Sequence, residues 1–228
     1  MSGFSNVPKI LKGAFVEYGI SIPPLFVVFQ FNPVSISRNR SNTFSAPGEG
    51  TKKSLRKFHQ KEKYDDLLEL RKEQDVEIGS ETISFDIRLD ATDKLDEGDL
   101  ITEQFGIAPQ LSTLELMMHP KEESLLGPPI AKFLRLPLGY NAPDKKKPPI
   151  VLFIWGRKKV LPVNINSMKV NEEEFSTDLN PIRATVGVDL TVIEGKNAPY
   201  LYSKAMKEAT SVLNLANITD VANVIIPL

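Results

Sequence analysis

From Ile182 to Val192 the chain alternates without a break: Ile182, Ala184, Val186, Val188, Leu190 and Val192 share one parity, and Arg183, Thr185, Gly187, Asp189 and Thr191 the other. A side-chain period of two places the apolar set on one face of a β-strand and leaves the second face for water or a partner. Just upstream, Ile150-Val151-Leu152-Phe153-Ile154-Trp155 is an unbroken apolar run closed by Gly156, which reads as a strand buried on both faces. Between the two, Val163 and Ile165 and then Met168 and Val170 alternate with a change of parity at Asn166-Ser167, the mark of a bulge. Three neighbouring strands with tight connections imply an antiparallel sheet around which the rest of the chain is arranged.

Upstream segments supply more strands. Pro23-Pro24 precede Leu25 to Phe31, Asn32-Pro33 makes a turn, and Val34 to Ser37 returns as a second strand. Val76 to Leu89 reads as one long strand with a bend at Gly79-Ser80. Residues 1–22 read as a short amphipathic turn or a loosely docked arm, and 41–50 as an exposed loop. Pro109, Leu111, Leu114, Met117 and Met118 have helical spacing, with Ser112 and Glu115 as a capping box, and His119-Pro120 ends that helix. Residues 120–149 hold seven of the 17 prolines and no clear period, so they read as a long connection. Asn197 and Pro199 open a second helix with Tyr202, Ala205 or Met206, Ala209 and Val212 or Leu213 as its apolar face. Val224-Ile225-Ile226 is a terminal strand-like run.

The expected fold is mainly β with α+β character: a two-sheet β-sandwich or barrel with one packed helix. It divides into a main domain over 1–195, carrying a charged insertion at 44–75, and a small helix-and-strand appendage over 196–228.

Chemistry is harder to find. The 228 residues contain no cysteine and two histidines, His59 and His119, which exclude disulfides, thiolate chemistry and an ordinary transition-metal site. Phosphate-binding glycine motifs and a nucleophile elbow are absent, so no enzyme, cofactor or metal site is expected. A net charge of −1 argues against a nucleic-acid binder. No apolar run is long enough to cross a bilayer and no secretory leader is visible, so synthesis in the cytoplasm is expected.

What stands out is charge in blocks. Lys52, Lys53, Arg56, Lys57, Lys61 and Lys63 face Glu62 alone, a local +5 on a mobile hairpin, a short helix or a solvated loop. Asp90, Asp93, Asp96, Glu97, Asp99 and Glu103 face Lys94 alone, a local −5. The acidic spacing does not match a twelve-residue calcium loop. Glu172-Glu173-Glu174 reads as a solvated turn between strands.

Five pieces of sequence, in order, carry a resemblance. They are Phe29-Gln30-Phe31-Asn32-Pro33; Ile83 to Thr92; Leu111 to Met118; Pro148-Pro149 with Phe153-Ile154-Trp155-Gly156; and Leu179-Asn180-Pro181-Ile182-Arg183-Ala184 with Val186 to Leu190. Over roughly residues 23–194 the chain resembles the tube-domain proteins of phage-tail-like contractile injection systems. Within that family it is similar to the baseplate tube initiator, a hub adaptor whose barrel is followed by a LysM-like module. The tail here lacks that module's usual opening, so a docking role fits better than glycan binding.

The resemblance implies a ring of identical subunits, a homohexamer, seated on a trimeric spike and flanked by the next tube ring and by baseplate wedge proteins, inside a particle that can leave the cell. It leaves an ordinary inner-tube subunit, or a cell-wall-binding module, as the other readings. On the equal and opposite local charges, Lys52, Lys53, Arg56, Lys57, Asp93, Asp96, Glu97 and Asp99 are the expected partner-contacting residues.

Overall fold

The alternation at 182–192 produces the longest regular ladder of the molecule. A computed structural model describes residues 11–19, 24–47, 55–119 and 147–216. Its strands are β1 (Ala14–Glu17), β2 (Phe26–Val28), β3 (Ser37–Asn39), β4 (Asn42–Ser45), β5 (Asp75–Ile78), β6 (Thr82–Asp90), β7 (Val151–Trp155), β8 (Lys159–Phe175) and β9 (Pro181–Val192). Helices are α1 (Leu55–His59), α2 (Leu67–Glu73), α3 (Thr92–Asp96), α4 (Leu100–Phe105), α5 (Ala108–Met118) and α6 (Ala198–Leu213), with 3₁₀ turns at Glu62–Tyr64 and at 214–216.

Seven strands form one antiparallel sheet in the order β2-β1-β7-β8-β9-β6-β3, curled into a half-barrel, and β4 and β5 form a separate pair. The fold is mainly β, consistent with the expected β-sandwich or barrel carrying a helix, although two helices, α5 and α6, pack on the sheet rather than one. Ala184, Val186, Val188, Leu190 and Val192 of β9 all face the core, beside Ile83, Phe85, Ile87 and Leu89 of β6. The expected bulge in β8 falls between Ile165 and Ser167. Inside the curl Phe15, Phe29, Phe85 and Phe153 meet with ring centroids 5.1–6.4 Å apart. Leu111, Leu114 and Met117 of α5 close the core against β2 and β8.

Several expectations are corrected. Residues 14–17 are not a turn or a docked arm but β1, inserted between β2 and β7 because Phe15 is wholly buried there. β2 and β3 do not form a hairpin: they lie at opposite edges of the sheet. The segment joining them crosses the core, burying Phe29, and Gln30 accepts a hydrogen bond from the Asp90 amide at 2.9 Å. Val76 to Leu89 is not one bent strand. It is split at Gly79-Ser80 into β5 and β6, which belong to different sheets. Residues 42–45, read as loop, are β4. Glu172-Glu173-Glu174 is no turn but lies inside β8, where both faces are open enough to solvate the carboxylates, and the chain turns at Ser176–Asn180. α5 starts at Ala108 with Pro109 in its first turn, so Ser112 is inside the helix and caps nothing.

Asn197 does cap α6, accepting from the Tyr200 amide at 2.9 Å. The helix meets the chain through a different face from the one expected. Ser203 is buried and Tyr200 packs on the core, while Tyr202, Val212 and Leu213 are exposed. The Ser203 hydroxyl accepts from the Val160 amide at 2.8 Å and donates to the Val160 carbonyl at 2.6 Å. It thereby satisfies backbone groups of β8 upstream of Val163, where the β9 ladder has already ended. The strand-like run at 224–226 and most of the proline-rich connection lie outside the described residues.

Gly106 is fixed by close approach as well as by its positive φ of 55°. A Cβ there would sit 2.0 Å from the Pro181 carbonyl oxygen. This glycine lets α4 turn into α5 against the start of β9.

Candidate functional site

The basic block sits on a projecting arm. β3 and β4 run on one side of it and β5 and β6 on the other, a ribbon kept in register at its kink by the Gly79 amide donating to the Ser41 carbonyl at 2.8 Å. Phe44 pairs with Val76 and Asn42 with Ile78, so Phe44, Val76 and Ile78 share one ribbon face while Thr43, Ser45, Asp75 and Glu77 share the other. Every residue of β4 and β5 is exposed.

At the tip, α1, the 3₁₀ turn and α2 fold around Phe58 and Tyr64, whose rings lie 4.7 Å apart. Asp66 caps α2 by accepting from the Leu68 amide at 2.8 Å. The Tyr64 hydroxyl donates to Glu73, which Lys63 also holds at 2.8 Å. Those two hydrogen bonds draw the Glu73 carboxyl below its ordinary range. The sequence left open a hairpin, a short helix or a loop; the segment is a hairpin ribbon with a helical tip. Arg56 and Lys57 are exposed on α1, and Lys52 and Lys53 lie outside the described residues.

The base of the arm is clamped. Glu81, whose side chain is 5% exposed, accepts from Arg38 Nε at 2.7 Å and Arg40 Nη2 at 3.1 Å, with Lys207 of α6 at 3.7 Å. Arg40 also pairs with Glu194, which in turn accepts from the Tyr200 hydroxyl at 3.1 Å. Burial pushes the Glu81 carboxyl up, but Arg38, Lys207 and Arg40 outweigh it and hold it below the usual range. This cluster joins β3, the root of the arm, the end of β9 and α6. No local spacing reveals it, since Arg38 and Glu81 are 43 residues apart and Arg40 and Glu194 are 154. The sequence reading missed it; a charged residue immediately before an apolar strand was the one visible signal.

The acidic block is at the other end of β6. It is not a loop but two short helices, α3 and α4. Asp90 accepts from the Thr92 amide and hydroxyl and from Arg183 Nε at 2.8 Å. Partial burial raises its carboxyl, and the bonds from Thr92 and Arg183 more than offset this, bringing it down to about 2. Asp99 caps α4, accepting from the Thr102 amide at 2.8 Å and hydroxyl at 2.7 Å. Asp93 and Asp96 lie in α3 and Glu97 closes it. All four expected acidic contact residues are exposed, and beside them Leu100, Ile101 and Phe105 are exposed too.

The basic and acidic sets do not meet within the chain. The arm leaves β6 at Thr82 and α3 follows Asp90, so the nine residues of β6 put about 26 Å between the two departures. Elsewhere the polar face of the sheet is tied together by side chains, with Ser84 and Ser167 both donating to Asp189 at 2.7 and 2.5 Å.

Among the described residues no group of three or more His, Asp or Glu could hold a metal ion, and no helix is long and apolar enough to cross a membrane. What the surface offers is association: an arm, two oppositely charged ends, and sheet edges at β2 and β3 that no further strand covers among the described residues. A family model described as contractile injection system tube protein matches residues 21–198. No curated protein matches the chain.

Proposed function

The chain belongs to the contractile injection system tube protein family, and from that premise we propose that it is the baseplate hub subunit on which the tube is nucleated. The family is a structural one whose members assemble with themselves into tube-like rings. In this reading a ring of the chain, a homohexamer, joins a trimeric spike to the first ring of the inner tube. Baseplate wedge proteins contact its outside. The finished particle, made in the cytoplasm, carries it out of the cell.

The observation that supports a single specialised ring is the arm. Residues 42–47 and 55–78 project beyond the sheet, their apolar ribbon face of Phe44, Val76 and Ile78 exposed among the described residues, and every layer of a long stack would have to accommodate them. Residues 199–228 lie beyond the family match and begin with most of α6, which serves in this reading as a docking element. The second reading is an ordinary inner-tube subunit. It is favoured by the match running unbroken through the arm, from 21 to 198.

Copy number separates the two. The ratio of this chain to sheath protein, measured by quantitative mass spectrometry on particles of differing length, is expected to fall as length grows, with one ring per particle. A copy number rising in proportion to length would make the chain a tube subunit and overturn the hub reading.

A further inference from the structure

α6 turns its apolar side outward. At about 100° per residue, Tyr200, Ser203 and Lys207 fall on one side of the helix, and Tyr202, Ala205, Ala209, Val212 and Leu213 on another. The first side faces the chain: Tyr200 packs on the core, Ser203 is buried at Val160, and Lys207 reaches Glu81 at 3.7 Å. The second side is exposed along its length, from 46% at Tyr202 to 69% at Leu213, with Ala205 and Ala209 exposed between them. An amphipathic helix on a folded domain ordinarily does the reverse, burying its apolar stripe and giving its polar side to water. A stripe left open in this way marks a surface that something else covers.

We infer that residues 217–228 of the same chain run back over the stripe. The described chain stops at Ala216, directly after Val212, Leu213 and the exposed Leu215. The twelve residues that follow carry Ile218, Val221, Val224, Ile225, Ile226 and Leu228, with Asp220 as their one charged side chain. Twelve extended residues span about 40 Å and the sixteen of α6 about 24 Å, so the segment has length enough to reverse and still reach Tyr202. Asn217 and Asp220 are residue types that favour the reversal. Ala205 and Ala209 lie one turn apart between bulkier residues, and the hollow they leave suits the branched side chains of 224–226. Tethering decides the occupant: an apolar segment attached at the end of the stripe meets it at an effective concentration of the order of millimolar, which neither a second copy nor a separate protein shares. The contact lies within one copy, so it holds whether the chain is a hub or a tube subunit.

The chain has no cysteine, so engineered pairs report without background. Ala205→Cys is combined in turn with Val224→Cys, Ile225→Cys and Ile226→Cys in the chain of 228 residues. Under mild oxidation at least one pair should close within a single copy, and to the same extent at every dilution. A second route needs no cysteine. Val224→Asp with Ile226→Asp should unseat the segment and quicken amide exchange across Ala205–Leu213 about ten-fold in the purified chain. No intrachain link from any of the three pairs would overturn the contact, and so would unchanged exchange in the aspartate variant. Links that form only between copies would give the stripe to a second copy instead. Protection of α6 that appears only in assembled particles would give it to another protein, and either result overturns the inference.

Discussion

Replacing Phe153 with alanine is expected to lower the stability of the fold by about 4 kcal/mol and its melting temperature by about 8–16 °C. Phe153 is fully buried at the point where β7 faces β6 across the curl of the sheet. Its ring lies 5.1 Å from that of Phe85, 5.8 Å from Phe15, 6.1 Å from Trp155 and 6.4 Å from Phe29. Four rings drawn from separate elements therefore lose a common neighbour, and a rigid strand backbone cannot collapse to fill the space. Calorimetry or chemical denaturation reads the loss directly. Phe153→Leu should cost far less, since it keeps most of the volume. A loss of about 1 kcal/mol or less for alanine would mean that the core is not organised around this cluster.

Glu81→Ala is expected to be nearly as damaging, at about 3 kcal/mol. The carboxylate is almost wholly enclosed, and its removal leaves Arg38 without its counter-charge and Arg40 held by Glu194 alone. Their side chains are 39% and 34% exposed, so water relieves part of the loss and the cost stays at the low end for a broken buried pair. The same change should loosen the arm, because Glu81 is where β3, β6 and α6 are tied together; cleavage of residues 42–78 by a protease should quicken.

The pH dependence has a definite sign. Glu81 titrates below its ordinary value in the folded chain, so its contribution is complete above the ordinary glutamate range and is lost as pH falls. Asp90 acts in the same sense, its share disappearing between 3.8 and about 2. Glu81→Gln should therefore be less stable than the parent at neutral pH and lose less on acidification. Equal acid sensitivity in the two proteins would remove Glu81 from the account.

Elements whose burial is one-sided and local were legible in the sequence. β9 alternates because one face is dry along its length, and the β8 bulge appears where that alternation slips. α5 announces its core face through Leu111, Leu114 and Met117. The elements that were missed lack such a pattern. β1 is four residues long with a single fully buried side chain, Phe15, and it becomes a strand only because β2 and β7 flank it. The glutamates at 172–174 look like a turn, yet β8 runs through them because that stretch has left the core.

For α6, apolar spacing pointed to one helix face, whereas two hydrogen bonds between Ser203 and Val160, one donated by each, fix another. The candidate surface divides the same way. Runs of like charge are visible in one dimension, so both charged blocks were found. Their separation to opposite ends of β6, and the Glu81 cluster at the root of the arm, depend on strand pairing over long stretches of chain.

The central claim is that this chain works by presenting surfaces to copies of itself. Native mass spectrometry of the purified chain, alone and mixed with the spike trimer of its own particle, tests that claim most directly. A discrete closed oligomer, the hexamer, is predicted in the presence of the spike and in excess of monomer. A chain that stays monomeric at every concentration, with and without the spike, would contradict the account.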